Sequence, residues 1–172
     1  GVIVVPRREA DKKRPAIVIA HDLLGLGDYQ KAVAHRLADR GYVVLAADIY
    51  GQGVRPKSND EANRLALSLR GDVPTMRRRM MAAYQLLTSQ PGVYFSKVVA
   101  LGYSIGGLAA FGLARGGTQL AGVVSMWGIL EAKRPEDKLN AQTRALICHG
   151  TLDPLTSAEA VTAFETELQR AK

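Results

Sequence analysis

The sequence predicts an α/β fold in which a mostly parallel β-sheet carries helices on both faces. Short apolar runs alternate with longer segments of helical periodicity along the chain. The runs are apolar at every position, as in residues 16–20 (AIVIA), which is typical of strands buried on both faces of a sheet. Strands that alternate with helices form parallel sheets, because each crossover helix returns the chain to begin the next strand in the same direction.

The predicted elements follow one another in a regular order. Asp28 is the predicted N-cap of the first helix, and Gly41 lies just past its end. Residues 51–60 are rich in Gly, Pro, Ser and Asn, which predicts a loop. A length of 172 residues suits a single domain covering residues 1–172. Strands are predicted at 16–20, 42–47, 98–101, 120–126 and 145–148, and helices at 29–39, 61–69, 75–89, 105–115 and 157–171.

Charge and composition disfavour several classes of protein. The net charge is +7, but the basic residues are scattered without a zinc-finger or RNA-binding signature, so we expect no nucleic-acid partner. No apolar run approaches the roughly 20 residues of a membrane-spanning helix, so we expect no membrane partner. The single cysteine excludes a disulfide within these residues and favours a reducing, cytoplasmic location.

Polar residues follow the predicted strands at the edge where parallel sheets bind their ligands. Ligands of open α/β sheets bind at the carboxyl ends of the strands. The side chains that follow those ends are therefore the candidates for chemistry. They are His21, Asp22, Asp48, Ser104, Trp127, His149 and Asp153.

Residues 102–106 (GYSIG) match the G-x-S-x-G pattern of a nucleophile elbow. Such an elbow needs a strand before the serine and a helix after it, and both are predicted here. The glycines leave room for a tight bend that lifts the hydroxyl of Ser104 above the sheet. The backbone N–H of Ile105, at the helix start, is then a predicted oxyanion donor. The alternative is a glycine-rich turn that only packs closely.

The other candidates have a catalytic and a structural interpretation each. Asp153 follows a strand and is predicted to orient a catalytic base, although Asp-Pro is also a common turn pair. The N–H of Leu23, in the loop after the first buried strand, is the second predicted oxyanion donor. Asp22 is expected close to the nucleophile, whereas His21 is a packing residue, a loop anchor or, less favoured, the base.

Two aromatic residues flank these positions. Tyr103 directly precedes the serine and either shapes the substrate pocket or packs in the core. Trp127 follows the predicted strand 120–126 and is either part of a substrate pocket or a half-buried aromatic residue. Cys148 lies within a predicted strand and is not expected to be a displaced nucleophile.

Five segments together resemble the dienelactone hydrolase family of α/β-hydrolases. They are PAIVIAHDLLGL, LADRGYVVLAADIYGQG, LGYSIGGLAAFGLAR, LAGVVSMWG and ALICHGTLDP, in this order along the chain. The resemblance implies hydrolysis of small-molecule esters or lactones without a metal or an organic cofactor. It implies Ser104 as nucleophile, Asp153 as acid, Leu23 and Ile105 as oxyanion donors, and Asp22 beside the nucleophile.

The chain departs from the family pattern at the nucleophile and at the base. The usual nucleophile is cysteine, and a serine depends more strongly on its base, which favours a general carboxylesterase. The family histidine is expected after the last helix, but no histidine follows His149. We therefore expect that terminal segments are missing at both ends and that the base lies beyond Lys172.

Two alternatives stay open at this point. His21 or a partner chain could supply the base, or the protein could be a catalytically inactive, hydrolase-like protein that binds small ligands. A monomer or a homodimer is expected.

Overall fold

The computed structural model describes residues 1–6, 12–134 and 137–171. Its strands are β1 (Val2–Val4), β2 (Arg14–Ala20), β3 (Val43–Ala47), β4 (Val93–Tyr103), β5 (Gly122–Met126) and β6 (Ala145–Cys148). Its helices are α1 (Asp28–Asp39), α2 (Asn59–Gly71), α3 (Val73–Thr88), α4 (Ile105–Arg115) and α5 (Ala158–Arg170). All ten predicted elements are therefore present, with one additional strand.

The strands form one sheet in the order β1-β3-β2-β4-β5-β6. The pairs β2–β3, β2–β4, β4–β5 and β5–β6 are parallel, and β1 pairs antiparallel with β3. The mostly parallel sheet predicted from the sequence is confirmed. β4 lies inside the sheet, so the residue that follows it is flanked by the ends of β2 and β5.

Alternate residues of the central strands serve two hydrophobic cores on opposite faces of the sheet. Val18 of β2 and Leu45 of β3 join the larger core with residues of α3, α4 and α5. Ile19 and Val44 point to the other face and pack with residues of α1. Successive strand side chains point to opposite faces, so both faces must be apolar when both are covered. The helices on both faces are thereby confirmed.

Several element boundaries differ from the prediction. β1 was missed, because three residues carry too little periodicity to show a strand; it forms through pairing with distant β3. β4 begins at Val93 rather than at 98, since four exposed residues after Val93 hide its start in the sequence. The N-cap of α1 is Gly27, and Asp28 is its first helical residue, so the predicted N-cap was wrong. In its place, the buried Gln30 side chain accepts the Gly27 N–H at 3.1 Å.

A buried arginine connects α4, α5 and the segment after β5. Arg115 is 5% exposed, and its guanidinium donates to both carboxylate oxygens of Glu167 at 2.8 and 2.6 Å. It also donates to the carbonyls of Leu130 and Glu131 at 2.7 and 2.8 Å. A buried charge needs such complete pairing. Arg115 therefore fixes α5 to the end of α4 and to the segment after β5.

Within the described ranges, none of the helices is both long enough and apolar enough to cross a lipid bilayer.

Candidate active site

Ser104 occupies a strained bend between β4 and α4. Its backbone has φ 51° and ψ −118°, and its side chain is largely buried. A positive φ is unfavourable for a residue with a side chain, and it persists only where the surroundings impose it. The serine is therefore held at the start of α4 by packing rather than by local preference.

Two glycines of the motif make this bend possible. A Cβ on Gly102 would lie 2.0 Å from the carbonyl oxygen of Gly106, and a Cβ on Gly106 would lie 2.4 Å from the carbonyl oxygen of Ala20. Both distances are far below van der Waals contact, so a side chain at Gly102 would push the start of α4 away from β4, and one at Gly106 would push it away from the end of β2. The glycines thus bring the Ser104 bend against the end of β2.

A second segment, residues 126–129, supports the serine from the side of β5. The Ser104 N–H donates to the carbonyl of Met126 at 3.2 Å, and the Ile129 N–H donates to the carbonyl of Ser104 at 3.1 Å. Between them, a Cβ on Gly128 would lie 2.8 Å from the Cα of Gly107. The sequence analysis missed this support, although the glycine that follows Trp127 was a signal of close backbone approach.

Two backbone N–H groups that follow strand ends at the carboxyl edge of the sheet have no hydrogen-bond acceptor among the described residues. They belong to Ile105, at the start of α4, and to Leu23, in the loop after β2. Buried N–H groups are seldom left unpaired, and such exceptions call for an explanation. As whole residues, Ile105 is 1% exposed and Leu23 is partly exposed. Both N–H groups are available to a ligand.

Asp22 has both carboxylate oxygens engaged by its own loop and by α1. Its Oδ1 accepts the Leu24 N–H at 2.8 Å, and its Oδ2 accepts from the Gln30 side chain at 3.0 Å. Gln30 is almost fully buried and was not predicted as a site residue. Its role depends on a contact that spans eight residues and follows no local pattern.

His21 lies fully buried between the ends of β2 and β3. Its Nδ1 donates to the carbonyl of Asp22 at 2.7 Å, and its Nε2 accepts the Ile49 N–H at 3.1 Å. Neither ring nitrogen is then free to accept a proton from Ser104. The geometry favours the loop-anchor interpretation over a role as catalytic base.

Burial lowers the pKa of His21 below 6.5. Two neighbours act in the opposite direction and raise this pKa: the carbonyl of Asp22, which accepts a hydrogen bond from the ring, and the carboxylate of Asp48. The Oδ1 of Asp48 lies 3.8 Å from His21 Nε2. Because the pKa of His21 is lower in the folded state than in the unfolded state, the unfolded state binds this proton more readily as the pH falls through about 6.5. Lowering the pH from 7.5 to 5.5 should therefore reduce the free energy of unfolding through His21. Urea unfolding of the wild type and of His21→Gln at both pH values checks this; equal losses in both proteins would contradict it.

Three aromatic rings form a row along the carboxyl edge of the sheet beside the serine. The ring of Tyr103 lies 5.5 Å from that of Tyr29 and 5.3 Å from that of Trp127. Tyr103 is buried, and burial raises its pKa to about 12, whereas Tyr29 and Trp127 are 49% and 44% exposed. Trp127 shares with Ser104 a positive φ, here 42°. The sequence analysis named Tyr103 and Trp127 but missed Tyr29.

Asp153 lies in the loop after β6, at the same edge of the sheet. Its Oδ1 accepts the Leu155 N–H at 2.8 Å, as in the turn that the Asp-Pro pair predicts. No donor among the described residues contacts its Oδ2, so this oxygen can accept a further hydrogen bond. Cys148 is the last residue of β6, and its carbonyl accepts a hydrogen bond from the backbone N–H of Trp127 at 2.7 Å.

Within the part of the chain that the structure describes, no three His, Cys, Asp or Glu side chains lie close enough together to hold a metal ion.

The fold and the serine bend together define a class of protein. A mostly parallel sheet, with an interior strand that ends in a strained serine directly before a helix, is the arrangement of an α/β-hydrolase. Residues 1–172 match the dienelactone hydrolase family, and the chain belongs to that family. The resemblance seen in the sequence motifs is confirmed.

Relatives and solved structures agree with this assignment. The chain is 30% identical over 154 residues to a carboxymethylenebutenolidase of Pseudomonas sp. (strain P51), a match that covers 85% of this chain and 63% of that relative. It is 33% identical to the solved structure of m3DLH, with a TM-score of 0.90 over 98% of this chain and 70% of that one. It is 34% identical to the dienelactone hydrolase-like promiscuous phosphotriesterase P91 from metagenomic libraries, with a TM-score of 0.87 over 96% and 69% of the two chains. The chain thus spans less than two thirds of the curated relative.

Proposed function

We propose that this chain forms most of an enzyme that hydrolyses carboxylic ester or lactone bonds through a serine nucleophile. The observation that carries the proposal is Ser104 in its strained bend, together with the N–H groups of Ile105 and Leu23, which have no acceptor in the part of the chain that the structure describes. A catalytic site needs a nucleophile and donors for the developing oxyanion at one place. A glycine-rich turn with only a packing role would not require a strained serine.

The proposed reaction proceeds through an acyl-enzyme. The hydroxyl oxygen of Ser104 attacks the carbonyl carbon, and its proton passes to a histidine expected beyond Lys172. The N–H groups of Leu23 and Ile105 hold the tetrahedral oxyanion. The carbon–oxygen bond of the ester then breaks, and the imidazolium returns the proton to the leaving alkoxide. In the second half of the reaction, the histidine takes a proton from water while the water oxygen attacks the acyl carbon. The bond from that carbon to Ser104 Oγ then breaks, the imidazolium returns the proton to Oγ, and the carboxylic acid leaves.

Asp153 is the proposed partner of that histidine. A triad carboxylate orients the imidazole and stabilises its charged form. The Asp153 Oδ2 has no donor among the described residues, while its Oδ1 is fixed by the Leu155 N–H. One oxygen therefore holds the side chain in place, and the other can accept the imidazole N–H.

The aromatic row suggests the substrate class of this proposed site. Tyr29 and Trp127 expose apolar ring surface next to the nucleophile, where a small flat substituent of an ester or a ring ester could pack. A relative carries the name carboxymethylenebutenolidase, which also supports ring esters as substrates. A general carboxylesterase activity is favoured by the serine nucleophile.

Steady-state and burst kinetics of the full-length protein test the proposal. We expect turnover of p-nitrophenyl acetate and of an unsaturated five-membered lactone. If deacylation limits the acetate reaction, a burst of about one equivalent of p-nitrophenol reports the acyl-enzyme. The alternative function makes the opposite prediction: the ester changes the fluorescence of Trp127 on binding, but no product forms. A monomer or homodimer and a cytoplasmic location stay predictions from the sequence.

A further inference from the structure

We propose that Tyr50 is a positioning residue for the oxyanion hole, because its hydroxyl fixes the loop whose Leu23 N–H holds the oxyanion. The inference rests on the proposed function and adds a residue outside the triad and the two donors. Tyr50 lies in the loop after β3, and its hydroxyl donates to the carbonyl of Leu23 at 3.0 Å. Its hydrogen bond is to the carbonyl of Leu23 and not to the N–H that is proposed to hold the oxyanion.

The loop after β2 is held at two successive peptide groups. The first joins Asp22 to Leu23, and its carbonyl oxygen accepts both from His21 Nδ1 at 2.7 Å and from the Gly25 N–H at 3.2 Å. In a planar trans peptide the N–H points opposite to the C=O. Fixing the Asp22 carbonyl therefore aims the Leu23 N–H in the opposite direction.

The second peptide group joins Leu23 to Leu24. Its carbonyl accepts from Tyr50, and its N–H donates to Asp22 Oδ1 at 2.8 Å. With both neighbouring peptide groups held, the dihedral angles of Leu23 have little freedom. Among the residues that the structure describes, the hydrogen bond from Tyr50 is the one to this second group that comes from outside the loop.

Tyr50 also supports the first peptide group through His21. The two rings pack at a centroid distance of 4.6 Å, and the His21 Nε2 accepts the N–H of neighbouring Ile49. Arg79 donates to the carbonyls of Ile49 and Tyr50 at 2.7 and 2.8 Å, which fixes the loop that carries Tyr50. One arginine on α3 thus holds the loop after β3, and that loop holds the loop after β2.

The phenol of Tyr50 is suited to be a permanent hydrogen-bond donor and is not suited to transfer a proton. Burial, followed by the nearby Asp22 charge, raises the pKa of Tyr50 to about 12. The hydroxyl therefore keeps its proton across the pH range in which an esterase is assayed. Loss of this hydroxyl removes one hydrogen bond and leaves the ring in place.

Tyr50→Phe is the test variant, and Tyr84→Phe is its matched control. Tyr84 also donates to a backbone carbonyl, that of Gln119 at 3.2 Å, at a position remote from the serine. Loss of an entire oxyanion donor typically lowers kcat by about 100- to 1,000-fold. A loosened donor should cost less, so we expect kcat to fall about 10-fold in Tyr50→Phe, with KM within about twofold. The control should keep the wild-type kcat.

The ratio of ester to thionoester turnover distinguishes positioning from general weakening of the fold. Sulfur accepts hydrogen bonds poorly, so the wild type should prefer the oxygen ester, and Tyr50→Phe should reduce that preference. Wild-type kinetics in Tyr50→Phe, or a loss of kcat with an unchanged ratio, would overturn the inference alone. Absence of ester turnover in the wild type would instead overturn the proposed function, and this inference with it.

Discussion

Replacement of Ser104 by alanine is expected to lower kcat/KM for esters by about 10⁵-fold, because it removes the proposed nucleophile. Residual activity would come from the oxyanion donors and from substrate binding alone. Hydrolysis of p-nitrophenyl acetate at high enzyme concentration measures the loss. Retention of a tenth of the wild-type activity would contradict the assignment of Ser104.

Ser104→Gly is the matched control for folding. Alanine retains a Cβ and therefore the backbone strain of a side chain at φ 51°, whereas glycine adopts a positive φ without strain. Both variants should be inactive, but the glycine variant should be the more stable of the two by about 1 kcal/mol. Thermal unfolding of the two proteins measures this difference. Equal stability would show that the bend does not strain the residue at this position.

Gly106→Ala is expected to lower the free energy of unfolding by about 3 kcal/mol or to prevent folding. The new Cβ would lie 2.4 Å from the carbonyl oxygen of Ala20 and 2.5 Å from that of His21. Both oxygens belong to the end of β2, which is buried and paired on two sides, so they cannot move cheaply. Urea unfolding measures the loss.

Gly112→Ala, in the same helix, is the control for this substitution. Its Cβ would meet nothing closer than the flexible end of Met76 at 3.5 Å, which is an ordinary contact. Alanine is the better helix former by about 1 kcal/mol, so this variant should be as stable as the wild type or more so. If both alanine variants behaved alike, the close approach of α4 to β2 would not be the reason for Gly106.

The structural features that depend on the pattern of neighbouring residues could be predicted from the sequence. The apolar run 16–20 of β2, the apolar β3 and the G-x-S-x-G bend follow from runs of neighbouring residues, and the structure contains them. Polar residues after each strand identified the carboxyl edge, because parallel strands share that edge. The family followed from the same segments.

Contacts between distant segments could not be predicted in this way. The donation from Tyr50 to Leu23 joins residues 27 positions apart, and the pairing of Arg115 with Glu167 joins residues 52 positions apart. Gln30 also has no local signature for its contact with Asp22. Hydrogen-bond partners of this kind depend on which loops the order of strands in the sheet places side by side. The hydrophobic periodicity of one sequence does not predict that strand order.

The central claim is that Ser104 is an activated nucleophile, and covalent labelling tests it most directly. The full-length protein is treated with a fluorophosphonate, its intact mass is measured before and after, and the modified peptide is mapped. We expect a single adduct on Ser104 that is absent from the folded Ser104→Ala variant. A folded wild-type protein that gains no adduct, or an adduct that persists in Ser104→Ala, would contradict the account.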